Sequence, residues 1–422
     1  MDTRIEHPVV IGTALKFLVL AVTVGSIYML ASHGLLEPAL SHPVVACLLL
    51  DCFLIHAATD ASPTETLSTV AIGSAGYILL FASGQASHAL SWGAFCLGAS
   101  VLGISSLFVL SVRALELKGQ AGWRKLRTYG RGSIFLCMAI WSIPFLKLAM
   151  QIRAHKLDLF LYAFDAGFGF QPSFAMGRLF AAYPRLASTE MMVYVTLAVP
   201  VALVYIGHLR KASRFSIDIL ALFLLNSCLG YVLFWIFPAA GPSFAFAGSY
   251  PMAAPPVASL NIVPISLAAL PNAMPSVHVS TALLVWFNSR PWRTARVLAL
   301  IFLIATMVST LGLGEHYLID LVVAFPYAVL VQSLAMSTEG RRRAILTSAI
   351  LTGGWLVFLG FGKALLPMPF AALAGAPITV ALALFEEQRL SRLLYGTRSA
   401  ESPAPALAPA LASESLTAAG EI

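Results

Sequence analysis

Charge is what this chain has least of. Of its 422 residues only 19 are acidic and 26 basic, 11% together, whereas soluble domains carry roughly 25%. That deficit excludes an ordinary water-facing surface. Cysteine is scarce too. Cys47, Cys52, Cys96, Cys137 and Cys228 all lie inside apolar runs with no metal-ligand spacing. They read as small buried apolar residues, not as a disulfide framework or a zinc site. No internal repeat is visible. The net charge of +7 would suggest nucleic acid in a soluble protein. Here the basic residues sit in short connections between apolar runs, so no nucleic-acid partner is expected.

Hydrophobic residues, by contrast, make up 59% of the chain, and its mean hydropathy is +0.85. Apolar runs fall near residues 9–31, 43–59, 67–84, 91–112, 133–150, 190–208, 216–237, 275–289, 297–314, 316–336, 344–364 and 369–385. Most approach the ~20 residues that cross a bilayer core as a helix; 275–289 is short. They are continuous rather than alternating, which argues for helices over barrel strands. The expected fold is therefore all-α: a polytopic membrane bundle of about 12 transmembrane helices. The run Val9 to Ala31 is too long for a cleaved signal peptide and reads as the first span.

The loops orient the bundle. Basic clusters occur at Arg113, Lys118, Arg124, Lys125, Arg127 and Arg131, then at Arg210, Lys211 and Arg214, at Arg290, Arg293 and Arg296, and at Arg341, Arg342 and Arg343. They occupy alternate connections, so all four share one side, and the positive-inside bias makes that side cytoplasmic. Both termini then face the cytoplasm. The setting expected from this is an integral membrane protein of a bacterial inner membrane. Residues 151–189, on the outer side, read as one or two interfacial helices, and residues 238–274 as a long outer loop. This gives a four-helix region (1–112), a basic linker (113–132), a membrane domain (133–336), two further helices (337–385) and a tail (386–422) that ends Ala/Pro/Ser/Glu-rich and reads as disordered.

Two stretches carry groups capable of chemistry: Met274-Pro275-Ser276-Val277-His278 and Gly314-Glu315-His316-Tyr317-Leu318-Ile319-Asp320. Both open apolar runs on the outer side, so loop charge alone puts His278 and His316 on one membrane face. His316 and Asp320 are four apart and share a helix face. Asp320 can then accept a hydrogen bond from one imidazole nitrogen and leave the other as a nucleophile. Ser276 and His278 lie at a helix N-terminus, where free N–H groups favour an anion such as phosphate. There His278 can serve as general acid. Asp51 is also an intramembrane acid, but it has Ile55 at i+4, and a structural bond or a pair with Lys16 is the plainer reading. His33, His42, His56, His88, His155 and His208 read as solvated or structurally bonded.

The Pro275-Ser276-Val277-His278 stretch resembles the Pro-Ser-x-His motif of the type-2 phosphatidic acid phosphatase superfamily. Ser309-Thr310, five residues, His316, three residues, Asp320 resembles its last motif. The resemblance spans roughly 158–335 and is closest to the inositol phosphorylceramide synthase-like subfamily, which shares Met-Pro-Ser before the first His and His-Tyr-x-x-Asp at the second. It implies a six-helix catalytic core and metal-free, cofactor-free chemistry on a phospholipid or other lipid-linked phosphate. In that chemistry His316 attacks phosphorus, forms a phosphohistidine, and His278 protonates the leaving alcohol. Ser276 would hold phosphoryl oxygens, with Asn226 and Pro242 lining or shaping the site. The superfamily's Lys/Arg-Pro motif is absent; Phe237-Pro238-Ala239-Ala240-Gly241-Pro242 stands there. Thr310 replaces the Arg of the last motif, and Val277 the Gly of the middle one. Arg178 and Arg185 are candidates for the missing charge, although interfacial anchoring is the plainer reading. A monoester carries about two negative charges and a diester one, so fewer cations favour a diester and head-group transfer. A lipid phosphate phosphatase is the alternative on the same scaffold. A lipid transporter or flippase is the alternative of another class, against which the lack of repeated halves speaks.

Overall fold

The computed structural model describes residues 42–82, 92–210, 217–338, 340–361 and 368–395. The expected first span and the end of the tail lie outside them. The regular structure of the described residues is helical, apart from a two-stranded antiparallel ladder of β1 (His155–Lys156) and β2 (Ile265–Ser266) and an isolated bridge between Ile217 and Met336. The helices are α1 (Pro43–Thr59), α2 (Pro63–Ala82), α3 (Trp92–Glu116), α4 (Gly119–Ile152), α5 (Asp158–Asp165), α6 (Pro172–Ala182), α7 (Pro184–Val195), α8 (Ala198–Leu209), α9 (Ile219–Ile236), α10 (Pro242–Ala245), α11 (Val277–Asn288), α12 (Arg293–Gly312), α13 (Leu318–Ala335), α14 (Arg341–Phe361) and α15 (Ala376–Tyr395).

Among the described residues six of these (α2, α3, α9, α12, α13 and α14) are long and apolar enough to cross a membrane. The number becomes seven if α7 and α8, bent by 41° at their break, count as one span. Several of the other expected runs take a different form among the described residues. Helices α1 and α11 have 17 and 12 residues, short of the ~20 that span hydrocarbon at 1.5 Å per residue. Helix α4 runs 34 residues through the basic stretch and the following apolar run as one rod. The last apolar run starts as a π-helical turn, Ala371–Gly375, before α15.

Residues 113–132 are helical almost throughout, shared between the end of α3 and the start of α4. Their charges are partly internal. Lys125 and Arg113 pair with the buried Glu65 at 2.7 and 3.0 Å, and Lys125 lies 3.5 Å from Asp60. Arg210 donates to the Ala58 carbonyl at 3.0 Å. His208 donates to the Asn288 carbonyl at 2.9 Å, Arg290 pairs with Glu387, and Arg343 and Arg389 both reach Glu386 at 2.9 Å. These links gather residues of all four basic clusters at one end of the bundle. Because α11 and α13 end there, their N-termini, with His278 and His316 beside them, lie at the other end.

Helix α13 is the axis of the second half. Fourteen of its 18 residues are buried, and it packs on α9, α11, α14 and α15. All eight residues of α5 are buried. The first part of 151–189 is therefore a plug over the top of α13, not a helix lying on the surface, because Asp158 and Asp165 both have backbone donors to satisfy there.

Candidate active site

Three buried carboxylates organise the N-terminus of α13. Asp165 accepts hydrogen bonds from the amides of Leu318 at 2.7 Å and Ile319 at 3.1 Å, two of the donors a helix start leaves unpaired. The amide of Tyr317 donates to Asp320 Oδ2 at 2.8 Å, closing a capping box in the first turn. Asp158 accepts from the amides of Gly241 at 2.8 Å and Ala240 at 3.1 Å, and from the Tyr317 hydroxyl at 3.1 Å. Burial pushes Asp158 up to about 6, against the pull of those bonds. Together the three fasten α5, the Phe237–Pro242 loop and the Gly314–Tyr317 turn into one unit.

His316 sits in that turn with almost no exposed surface. Its Nδ1 donates to the Ala273 carbonyl at 2.9 Å. A carbonyl only accepts, so this bond places the proton on Nδ1 and leaves a lone pair on Nε2. Asp320 Oδ2 lies 3.5 Å from the same Nδ1, beyond a good hydrogen bond. The tautomer is thus held by a main-chain carbonyl, with the Asp320 carboxyl behind it, whereas helical spacing alone would give Asp320 both tasks. Burial lowers the His316 pKa to about 4, opposed by Glu315 and by the bond to Ala273, so the ring is neutral at physiological pH.

Ser276 Oγ donates to His316 Nε2 at 3.1 Å and accepts from the Val279 amide at 3.3 Å as N-cap of α11. Its contact is thus with the free nitrogen itself. His278 follows two residues on, its ring centre 6.4 Å from that of His316 at an interplanar angle of 60°. The side chains of Tyr194 and His278 stack, 4.0 Å between ring centres and 17° between planes.

The outer loop clamps this arrangement. Gly241 has φ 105°, a conformation that favours glycine, and a Cβ there would lie 2.4 Å from the Glu315 carbonyl oxygen. Pro242, buried, opens α10 immediately after; it shapes the loop by fixing that start. Ser243 donates to the Gly314 carbonyl at 2.9 Å, and Tyr250 to that of Gly312 at 2.9 Å. From α6, Ser173 donates to the His316 carbonyl at 2.8 Å.

The remaining candidates sit apart from the two imidazoles' bonds. Asn226 is buried and acts behind α11, donating to Thr281 at 2.8 Å and accepting from Ser280 at 2.9 Å. Thr310 is buried and donates to the Met307 carbonyl of its own helix at 3.0 Å. Val277 packs into the space above Gly230. Arg178 on α6 and Arg185 on α7 are exposed and form no ion pair among the described residues. No group of three or more His, Cys, Asp or Glu that could hold a metal ion occurs among the described residues.

Sequence reasoning missed Tyr194, Ala273, Asp158 and Asp165. Asp158 and Asp165 carried a signal, being isolated acids in an otherwise apolar stretch. A backbone carbonyl carries none. No curated protein and no solved structure matches this chain. Residues 159–334, which hold α6 to α13 and both histidines, match the family model described as the PAP2 superfamily.

Proposed function

We propose that this is an integral membrane phosphotransferase that moves a phosphate-bearing head group between lipids through a phosphohistidine on His316. The observation that carries the reading is the state of His316. Its Nδ1–H is committed to the Ala273 carbonyl, its Nε2 carries the lone pair with only the Ser276 hydroxyl on it, and a second imidazole stands 6.4 Å away. The family match suggests the same class of enzyme, a phosphatase or phosphotransferase acting on lipids.

The chemistry balances with these groups alone. As phosphorus arrives, Ser276 turns its hydroxyl from Nε2 to a phosphoryl oxygen. Burial lowers the His278 pKa to about 3, and the incoming phosphate anion favours its charged imidazolium form. Nε2 forms the P–N bond, the P–O bond to the lipid alcohol breaks, and the His278 imidazolium gives that alcohol its proton. The ring of His316 then carries a positive charge, which faces Asp320. In the second step His278 takes the proton of an acceptor hydroxyl, the new P–O bond forms, and the P–N bond breaks. Backbone amides at the start of α11 favour the phosphoryl anion. A monoanionic diester donor suits the site because Thr310 is turned into its own helix and supplies no charge; the resemblance to the inositol phosphorylceramide synthase-like subfamily points the same way. With water as acceptor the same steps make a phosphatase. We place the site on the outer membrane face, since the arginine clusters gather at the opposite end.

The test is purified protein supplied with labelled phospholipids, with and without lipid alcohols, and products resolved by mass. A product joining the donor's phosphate to the acceptor supports transfer. Released head-group phosphate alone supports the phosphatase, and no phosphorus chemistry with any lipid refutes both.

A further inference from the structure

The two imidazoles are held in different ways. His316 has hydrogen bonds at both ring nitrogens, to Ala273 and Ser276. His278 has none among the described residues; its ring contacts are the face of Tyr194 at 4.0 Å and the tilted ring of His316. A general acid needs its proton-giving nitrogen free and its ring plane aimed, a task a hydrogen bond at the second nitrogen often performs. With no such bond on His278, the ring face is the part left to be held. A flat ring stacked on its face fixes the imidazole plane and leaves the edge open. An imidazolium is also attracted to the electron-rich face of a phenol ring.

The position of Tyr194 fits that task. It sits one residue from the end of α7, just before the 41° break to α8. Helix α8 is anchored, with six buried residues that include Tyr205 and His208. No residue of α7 is buried, and Tyr194 itself is only half-buried. An aromatic in the core would be explained by packing; this ring meets the histidine from a helix that contributes nothing fully buried.

We propose that Tyr194 is a positioning residue for His278, holding the imidazole in the plane from which it protonates the leaving alcohol; this rests on the phosphotransferase reading above. Tyr194 acts through proton transfer, so its removal hurts only reactions that need the proton. The proton moves from His278 to the departing oxygen as the P–O bond breaks, whereas a p-nitrophenolate leaves as the anion.

The experiment measures, in a single turnover of the full-length protein, the rate at which label loads onto His316. One donor is a lipid phosphodiester with an alkyl alcohol leaving group, the other its p-nitrophenyl ester. General acids contribute about 10²–10⁴-fold, and misaligning one forfeits part of that, so Tyr194→Leu should slow loading from the alkyl donor by about 10- to 100-fold. Loading from the p-nitrophenyl donor should change by less than about 3-fold, since that group needs no proton. Tyr194→Phe keeps the face and should behave as wild type on both; Tyr194→Met serves as a second non-aromatic variant should the leucine variant not fold. Equal loss on both donors, no loss on either, or a phenylalanine variant as impaired as the leucine one overturns the proposal while the phosphotransferase reading stands. Wild-type protein that takes label from neither donor overturns that reading, and the role of Tyr194 with it.

Discussion

Replacing Asp320 by Asn separates two roles that the helical spacing of His316 and Asp320 had merged. In a serine-protease triad the carboxylate sets the tautomer, and its loss to Asn costs about 10⁴-fold. Here the Ala273 carbonyl already holds Nδ1–H at 2.9 Å, so the tautomer survives the change. What is lost is a carboxyl 3.5 Å from a ring that becomes a phosphoryl-imidazolium, whose positive charge favours the ionised form of Asp320 in the intermediate. At an effective dielectric of 20, two unit charges at that separation interact by about 332/(20 × 3.5), or ~5 kcal/mol. Solvent and neighbouring dipoles offset part of this, so a loss of ~3–4 kcal/mol, or roughly 10²–10³-fold in the rate of His316 phosphorylation, is the expectation. The Asn carbonyl still accepts the Tyr317 amide, so the helix start and the thermal midpoint should be close to wild type. The assay is single-turnover labelling of His316, paired with nitrogen NMR of the imidazole to read the tautomer. Labelling within tenfold of wild type would refute the electrostatic role. Loss of the Nδ1–H tautomer would refute the Ala273 assignment.

Two further outcomes follow from the same geometry. Burial lowers His316 to about 4, and the nucleophile is the deprotonated ring, so loading from the p-nitrophenyl donor, which needs no proton from His278, should be level through neutral pH and fall only as pH drops through about 4; an acid limb near 6.5 would contradict the buried, neutral nucleophile. A cysteine at Ser249, in the loop that clamps Gly312 and Gly314, should react with an impermeant thiol reagent in whole cells, and labelling only after lysis would invert the orientation.

Why some of this was legible in the amino-acid sequence and some not has a physical basis. Loop charge placed His278 and His316 at like ends of their helices, because positive residues partition along the whole chain by side of the membrane. The structure puts their rings 6.4 Å apart. Helix number was less legible. Hydropathy measures apolar length along the chain, so the 275–289 run already reads short of a span, but it is blind to where a helix starts and does not see α4 continue through basic residues. Tyr194 was invisible because its partner is far along the chain and neither residue departs from the composition around it. Asp158 and Asp165 stood out as acids in an apolar segment, but the amides they bind lie 82 and 153 residues away, and amides have no signature in sequence. Ala273 contributes only its main chain.

A phosphorus–nitrogen bond on His316 can be trapped by quenching the protein during turnover of a phosphorus-labelled p-nitrophenyl lipid phosphodiester and mapping the acid-labile label. Label should sit on His316 in wild type, persist in His278→Ala because this leaving group needs no proton, and be absent from His316→Ala. Label trapped on the His316→Ala protein would contradict a bond at His316 and make His278 the nucleophile.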